Sequence, residues 1–128
     1  MPTIIVIGAS ADRTKFGNRC VRAYLQQGWT VYPVNPRETT IEGLYVYRSI
    51  LDVPAGFIDR VSVYLPAPLG MKVMDEIAQF AQRGRVGEVM LNPGADDLSV
   101  VDRATELGLN VVTGCALIAL GVESHEGD

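Results

Sequence analysis

Short apolar runs alternate with amphipathic stretches along nearly the whole chain, and this alternation restricts the fold more than any other feature. A run such as Thr3-Ile4-Ile5-Val6-Ile7 is apolar at successive positions, so a strand made from it must be covered on both faces. The stretch that follows puts Cys20, Val21, Tyr24 and Leu25 at helical spacing and ends at Gly28, a residue suited to closing a helix. Strands buried on both faces and joined by helices are the pattern of a parallel sheet with helical crossovers.

Read in this way, residues 3–7, 30–34, 60–65, 87–91 and 110–113 are strands, and residues 17–27, 68–83 and 96–107 are helices. Pro68 falls near the first turn of the second helix, and Asp96 or Asp97 caps the third. Pro33 lies inside the second strand and cannot donate to a ladder, so pairing is missing on that side at that point. Only a short edge strand near residues 44–47 is expected beside it. The chain is therefore expected to be a single α/β domain, a three-layer doubly wound parallel sheet of Rossmann type, with strand order 3-2-1-4-5-6 and strand 3 vestigial. Residues 1–122 form this domain, and residues 123–128 are a polar C-terminal tail.

Composition narrows the class of function. With 128 residues, 48% apolar and 20% charged, the chain is long enough to bury a core without metals or disulfides. No apolar run approaches the roughly 18 to 20 residues of a membrane span, and the start Met1-Pro2-Thr3 has no secretory pattern, so a cytoplasmic protein is expected. A net charge of −4 argues against nucleic acid as a partner, because that role needs a basic patch. Cys20 and Cys115 form no CxxC pair and are read as free thiols.

In a doubly wound sheet the ligand lies beyond the carboxyl ends of the strands, so the residues directly after each strand carry the information. After the first strand come Gly8, Ala9, Ser10, Arg13, Lys15, Phe16 and Gly17, spread over a loop that leads into a helix. Gly8 permits a tight turn, and the free N–H groups of the helix can receive a phosphate. The G-x-G-x-x-G fingerprint is not met, since Ser10 and Arg13 stand where its second and third glycines would be. A plain strand-to-helix turn would require Gly8 but not this cluster of polar residues. After the second strand come Asn35, Pro36 and Arg37, where a nicotinamide-binding domain normally places an acid for the ribose hydroxyls. Arg37 would instead attract a phosphorylated ribose, as in coenzyme A or NADP; an arginine merely exposed on the surface is the alternative.

The segments Val6-Ile7-Gly8-Ala9-Ser10, Lys15-Phe16-Gly17-Asn18, Tyr32-Pro33-Val34-Asn35-Pro36-Arg37, Tyr47-Arg48-Ser49-Ile50-Leu51-Asp52-Val53-Pro54 and Leu91-Asn92-Pro93-Gly94-Ala95 together resemble the CoA-binding domain family. Its members are small proteins similar to the nucleotide-binding domain of the succinyl-CoA synthetase α-subunit. The resemblance implies coenzyme A, or an acyl-CoA, as the ligand. It implies that Gly8, Ser10 and residues 13–15 cradle the diphosphate, and that Asn35, Pro36 and Arg37 border the adenosine and its 3′-phosphate. Leu65 and Pro66, with Ala67, would line the adenine or pantetheine channel, and Asn92, Pro93 and Gly94 would complete the site. The chain departs from many members in carrying Asp96-Asp97 after this glycine and Gly114 before the late Cys115.

No catalytic constellation is evident. The single histidine, His125, lies in the tail, which disfavours metal sites and Ser-His or Cys-His catalysis. The phosphorylatable histidine of the synthetase belongs to a second domain that has no counterpart in this sequence. Cys115 stands at the start of an apolar stretch where a thiol can be activated, or it can be a small buried hydrophobe. The expectation is a CoA-binding protein without a reaction of its own, with an NADP-dependent oxidoreductase or a Cys115-based redox protein as alternatives. A homodimer or an unidentified protein partner is left open.

Overall fold

A computed structural model describes residues 1–121 of the chain. The tail proposed at residues 123–128, with His125, lies outside the described residues, as does Val122. Strand β1 is Thr3–Ile7, and α1 is Phe16–Gln26; β2 is Thr30–Val34, followed by β3 at Thr40–Ile41 and β4 at Leu44–Tyr45. A single 3-10 turn at Ile50–Asp52 precedes β5 at Phe57–Val63, α2 at Ala67–Arg83 and β6 at Arg85–Leu91. Helix α3 at Leu98–Glu106, β7 at Val111–Thr113 and α4 at Ala116–Leu120 complete the described chain.

The five long-range strands form one parallel sheet in the order β2-β1-β5-β6-β7. This is the doubly wound order expected from sequence once its third strand is removed. That strand has shrunk to a single parallel bridge between Val34 and Tyr47. The nearby residues form a separate antiparallel hairpin, β3 with β4, which sequence patterning did not reveal because two-residue strands carry no periodicity. Pro33 explains the reduction. Its carbonyl accepts from Tyr47 N–H on the outer edge at 3.0 Å, but its ring nitrogen has no proton to return, so the ladder cannot continue.

Alternation along the strands divides the core into two layers. Ile5 and Ile7 of β1 face a cluster with Met74, Ile77 and Phe80 of α2 and Val100 and Ala104 of α3. Ile4 and Val6 face the opposite cluster, with Cys20, Val21 and Tyr24 of α1 and Ala116 of α4. Full burial of each large side chain stabilises the fold by about 1.5 to 3 kcal/mol, so both layers are needed to hold the central strand. No described helix is long and apolar enough to cross a membrane.

Helix ends follow local chemistry. Asp97 caps α3 by accepting from Ser99 N–H, which decides between the two adjacent aspartates. Helix α2 begins after Pro66 with Pro68 in its first turn, a place where a missing N–H costs nothing. The apolar stretch opened by Cys115 is the short helix α4, with Cys115 at its cap position.

Candidate functional site

The carboxyl ends of β1, β2 and β5 lie side by side, so the three loops that follow them meet at one end of the sheet. Gly8 is the pivot. It has φ +88°, and a Cβ there would lie 2.9 Å from the Tyr64 carbonyl oxygen, so a side chain is excluded both by conformation and by space. A Cβ on Gly17 would overlap the Gly8 carbonyl oxygen, which is why the first turn of α1 can pack directly on the end of β1.

The loop between β1 and α1 is held by its own polar residues. Ser10 Oγ accepts from Asp12 N–H at 3.0 Å, and the Asp12 carboxylate accepts from the Thr14 hydroxyl at 2.7 Å and Thr14 N–H at 3.0 Å. These Thr14 hydrogen bonds, the hydroxyl's first, hold the Asp12 carboxyl below its ordinary range. Asn18 Nδ2 donates to the Ser10 carbonyl at 2.9 Å and to Glu42 at 3.0 Å, and Arg22 clamps Asn18 Oδ1 at 2.7 Å. Arg13 forms an ion pair with Glu42 at 3.2 Å, which ties the loop to the β3–β4 hairpin. Helix α1 has no side-chain cap and no acid in its first turn; Asn18 N–H donates to the Lys15 carbonyl at 3.1 Å, and the N–H groups of Phe16 and Gly17 are left for another acceptor.

Two depressions share Gly8. One groove, of about 410 Å³, runs over Gly8, Thr14, Lys15, Phe16, Gly17 and Tyr64. The other is a cleft of about 320 Å³ that brings Gly8 together with Asn35, Pro36, Arg37 and Leu65, five of the residues singled out in the sequence. Asn35 fixes the geometry between them: its Nδ2 donates to the Ala9 carbonyl at 2.8 Å, and its Oδ1 accepts from the N–H groups of Arg37 and Glu38. Asn35 thus orients both loops, while the exposed Arg37 side chain has no partner among the described residues.

The remaining candidates fall elsewhere. Asn92 is 1% exposed and lines neither depression. Its Nδ2 donates to Ser62 Oγ and to the Val63 carbonyl, both at 2.9 Å, and its Oδ1 accepts from Ala116 N–H at 2.8 Å. Pro93 and Gly94 are exposed at the carboxyl end of β6, and Pro66 is exposed at the start of α2. Cys115 is half-buried and free, at the cap of a helix only five residues long. Cys20 is fully buried, and burial pushes its thiol up to about 11.

Sequence reasoning passed over several residues of these depressions. Tyr64 closes the floor of the loop groove, and burial raises its hydroxyl well above the usual phenol range. Arg48, Ser49, Lys72 and Glu76 line the cleft. Arg48 and Ser49 stand in the segment of residues 47–54, which carries part of the family resemblance. Lys72 and Glu76 carry a weaker signal, a shared face of α2 at a spacing of four residues.

A glycine-pivoted loop at the switch point of a doubly wound sheet defines a nucleotide-binding class of fold. The family model described as "CoA binding domain" matches residues 2–121, and the chain belongs to that family. It is 30% identical over 118 residues to a trans-feruloyl-CoA synthase of an unknown prokaryotic organism, a match covering 84% of this chain and 16% of that protein. It is 28% identical over 119 residues to the α subunit of an ADP-forming acetate–CoA ligase II of Pyrococcus furiosus, covering 85% of this chain and 25% of that one. The chain therefore spans a quarter or less of the length of these curated relatives. A hypothetical protein from Pyrococcus horikoshii has the same fold, with a TM-score of 0.82 at 24% identity, covering 94% of this chain and 81% of that one.

Proposed function

We propose that this chain binds coenzyme A, or an acyl-CoA, across the two depressions that meet at Gly8, and that residues 1–122 form a binding unit without a reaction of its own. The observation that carries the reading is the shared pivot. A ligand with a diphosphate between two dissimilar arms needs one anion site in the middle and a recess on either side. The N–H groups of Phe16 and Gly17 at the start of α1 supply the first, and the groove and the cleft supply the second. Membership of the CoA binding domain family favours coenzyme A over NADP.

In this reading the loop from Gly8 to Gly17 takes the diphosphate, and Asn35, Pro36 and Arg37 border the phosphorylated ribose. Leu65 and Pro66 begin the wall of the channel. The chain's own part is to bind and orient. Isothermal titration of the full chain with coenzyme A and with NADP tests it. Saturable binding of coenzyme A with NADP at least a hundredfold weaker is expected, and absence of coenzyme A binding overturns the reading.

A further inference from the structure

In a chain with 15 acids against 11 bases, unpaired cations are informative because carboxylates are available to most of them. Arg13, Arg60 and Arg103 are in ion pairs, Arg22 and Arg83 donate hydrogen bonds, and Arg19 lies over the Phe16 ring. Among the described residues, the side chains of Lys15, Arg37, Arg48, Lys72 and Arg85 have no hydrogen bond, ion pair or ring contact. Arg85 opens β6 at the opposite end of the sheet. Lys15 lines the loop groove over the start of α1, and the other three line the one cleft.

They arrive from three separate parts of the chain. Arg37 follows β2. Arg48 is set beside it because Tyr47 exchanges backbone hydrogen bonds with Pro33 and Asn35, both at 3.0 Å, which fixes where the next residue leaves the sheet edge. Lys72 enters from the second turn of α2. Between them the floor is apolar, made by Ile7, Val34, Ile50, Leu65 and Val73. The only carboxylate in the lining is Glu76, which accepts from the Ser49 hydroxyl at 3.4 Å. Three like charges around an apolar floor repel one another unless an anion joins them, and the anion that also covers the floor has an apolar ring attached to a compact, highly charged head.

We propose that Arg48 and Lys72 act with Arg37 as a three-cation pocket for a ribose phosphomonoester, so that the cleft selects a 3′-phosphorylated nucleotide end over its dephosphorylated form. The proposal rests on the coenzyme A reading above and adds to it the residues that set specificity. Glu76 opposes the same anion and limits its affinity.

The test is isothermal titration of coenzyme A and 3′-dephospho-coenzyme A into the full chain and its variants, with dephospho-coenzyme A affinity serving as the check on an intact site. Arg48→Gln and Lys72→Met are each expected to weaken coenzyme A binding about tenfold and to change dephospho-coenzyme A binding less than twofold, in the range of a charge-assisted phosphate contact. Glu76→Gln, which can still accept from Ser49, is expected to tighten coenzyme A binding severalfold without moving its dephospho form. Arg85→Gln removes the same charge at a distance and is expected to change neither. Equal losses on both ligands, or no loss from either cation, overturn the pocket while leaving coenzyme A binding intact. Adenosine 3′,5′-bisphosphate separates the two claims: binding of it without coenzyme A overturns the functional reading alone, and binding of neither overturns both.

Discussion

Asn92 illustrates how one residue can look like a ligand contact and serve as a fastener. Its side chain joins β5 to β6 through Ser62 and Val63 and caps α4 through Ala116 N–H, all within the core. Asn92→Ala removes these bonds and leaves buried groups without partners, so a loss of about 2 to 4 kcal/mol is expected. Chemical denaturation of the variant checks it, and a midpoint within error of the parent would show that the contacts are dispensable. The residue types at this end of the sheet were legible in the sequence, since Gly8, Asn35 and Arg37 were picked out and do meet at the cleft. Their division of labour was not. Whether an asparagine faces a ligand or its own backbone depends on which strand lies beside it, and no local pattern records that neighbour.

At the scale of elements, the hairpin of β3 and β4 reaches over to the β1–α1 loop. Glu42, at φ +51° between the two strands, holds both Asn18 and Arg13. The Asn18 hydrogen bond, with Arg13 adding its charge, keeps the Glu42 carboxyl below its ordinary range. A diphosphate at the start of α1 would compete with Glu42 for Arg13. Glu42→Gln keeps an acceptor for Asn18 and removes the competing charge, so coenzyme A affinity is expected to rise severalfold. Titration of that variant checks it, and an unchanged or weaker affinity would place the diphosphate away from Arg13. The hairpin itself was invisible in the sequence, which indicated one short strand near residues 44–47 where the structure has a two-residue ladder and a single bridge. The main strands and α1 to α3 were legible because each is long enough to show a period. Strand β5 nevertheless begins at Phe57, three residues before its sequence-based start, because the charged Asp59 interrupts the apolar run that Phe57 and Ile58 begin.

Over the whole molecule, stability is expected to depend on alkali through groups on the α1 face, Cys20 and Tyr24 first, with the Tyr64 hydroxyl raised further still. Burial is the leading cause at each: Cys20 is pushed from its ordinary 9.0 up to about 11, and Tyr24 from 10.0 up to about 12. The folded state therefore keeps protons that the unfolded chain has already released. The contribution of Cys20 and Tyr24 is complete below about pH 9 and declines as pH rises from there to about 12. The Cys20 share amounts to roughly 2 to 3 kcal/mol at its limit. Urea midpoints measured from about pH 8 to 11 check this; they should hold level and then fall, less steeply for Cys20→Ala, and a level profile throughout would exclude the thiol's part. The architecture has a further consequence at its margins. One outer strand presents a proline ring where a donor would be, and the other, β7, is three residues long. Within the described sheet, these margins give a second copy only a short run of backbone to extend, which disfavours growth by strand addition. Association of this chain through side chains would leave the sheet untouched, so surface substitutions would alter it without disturbing the fold.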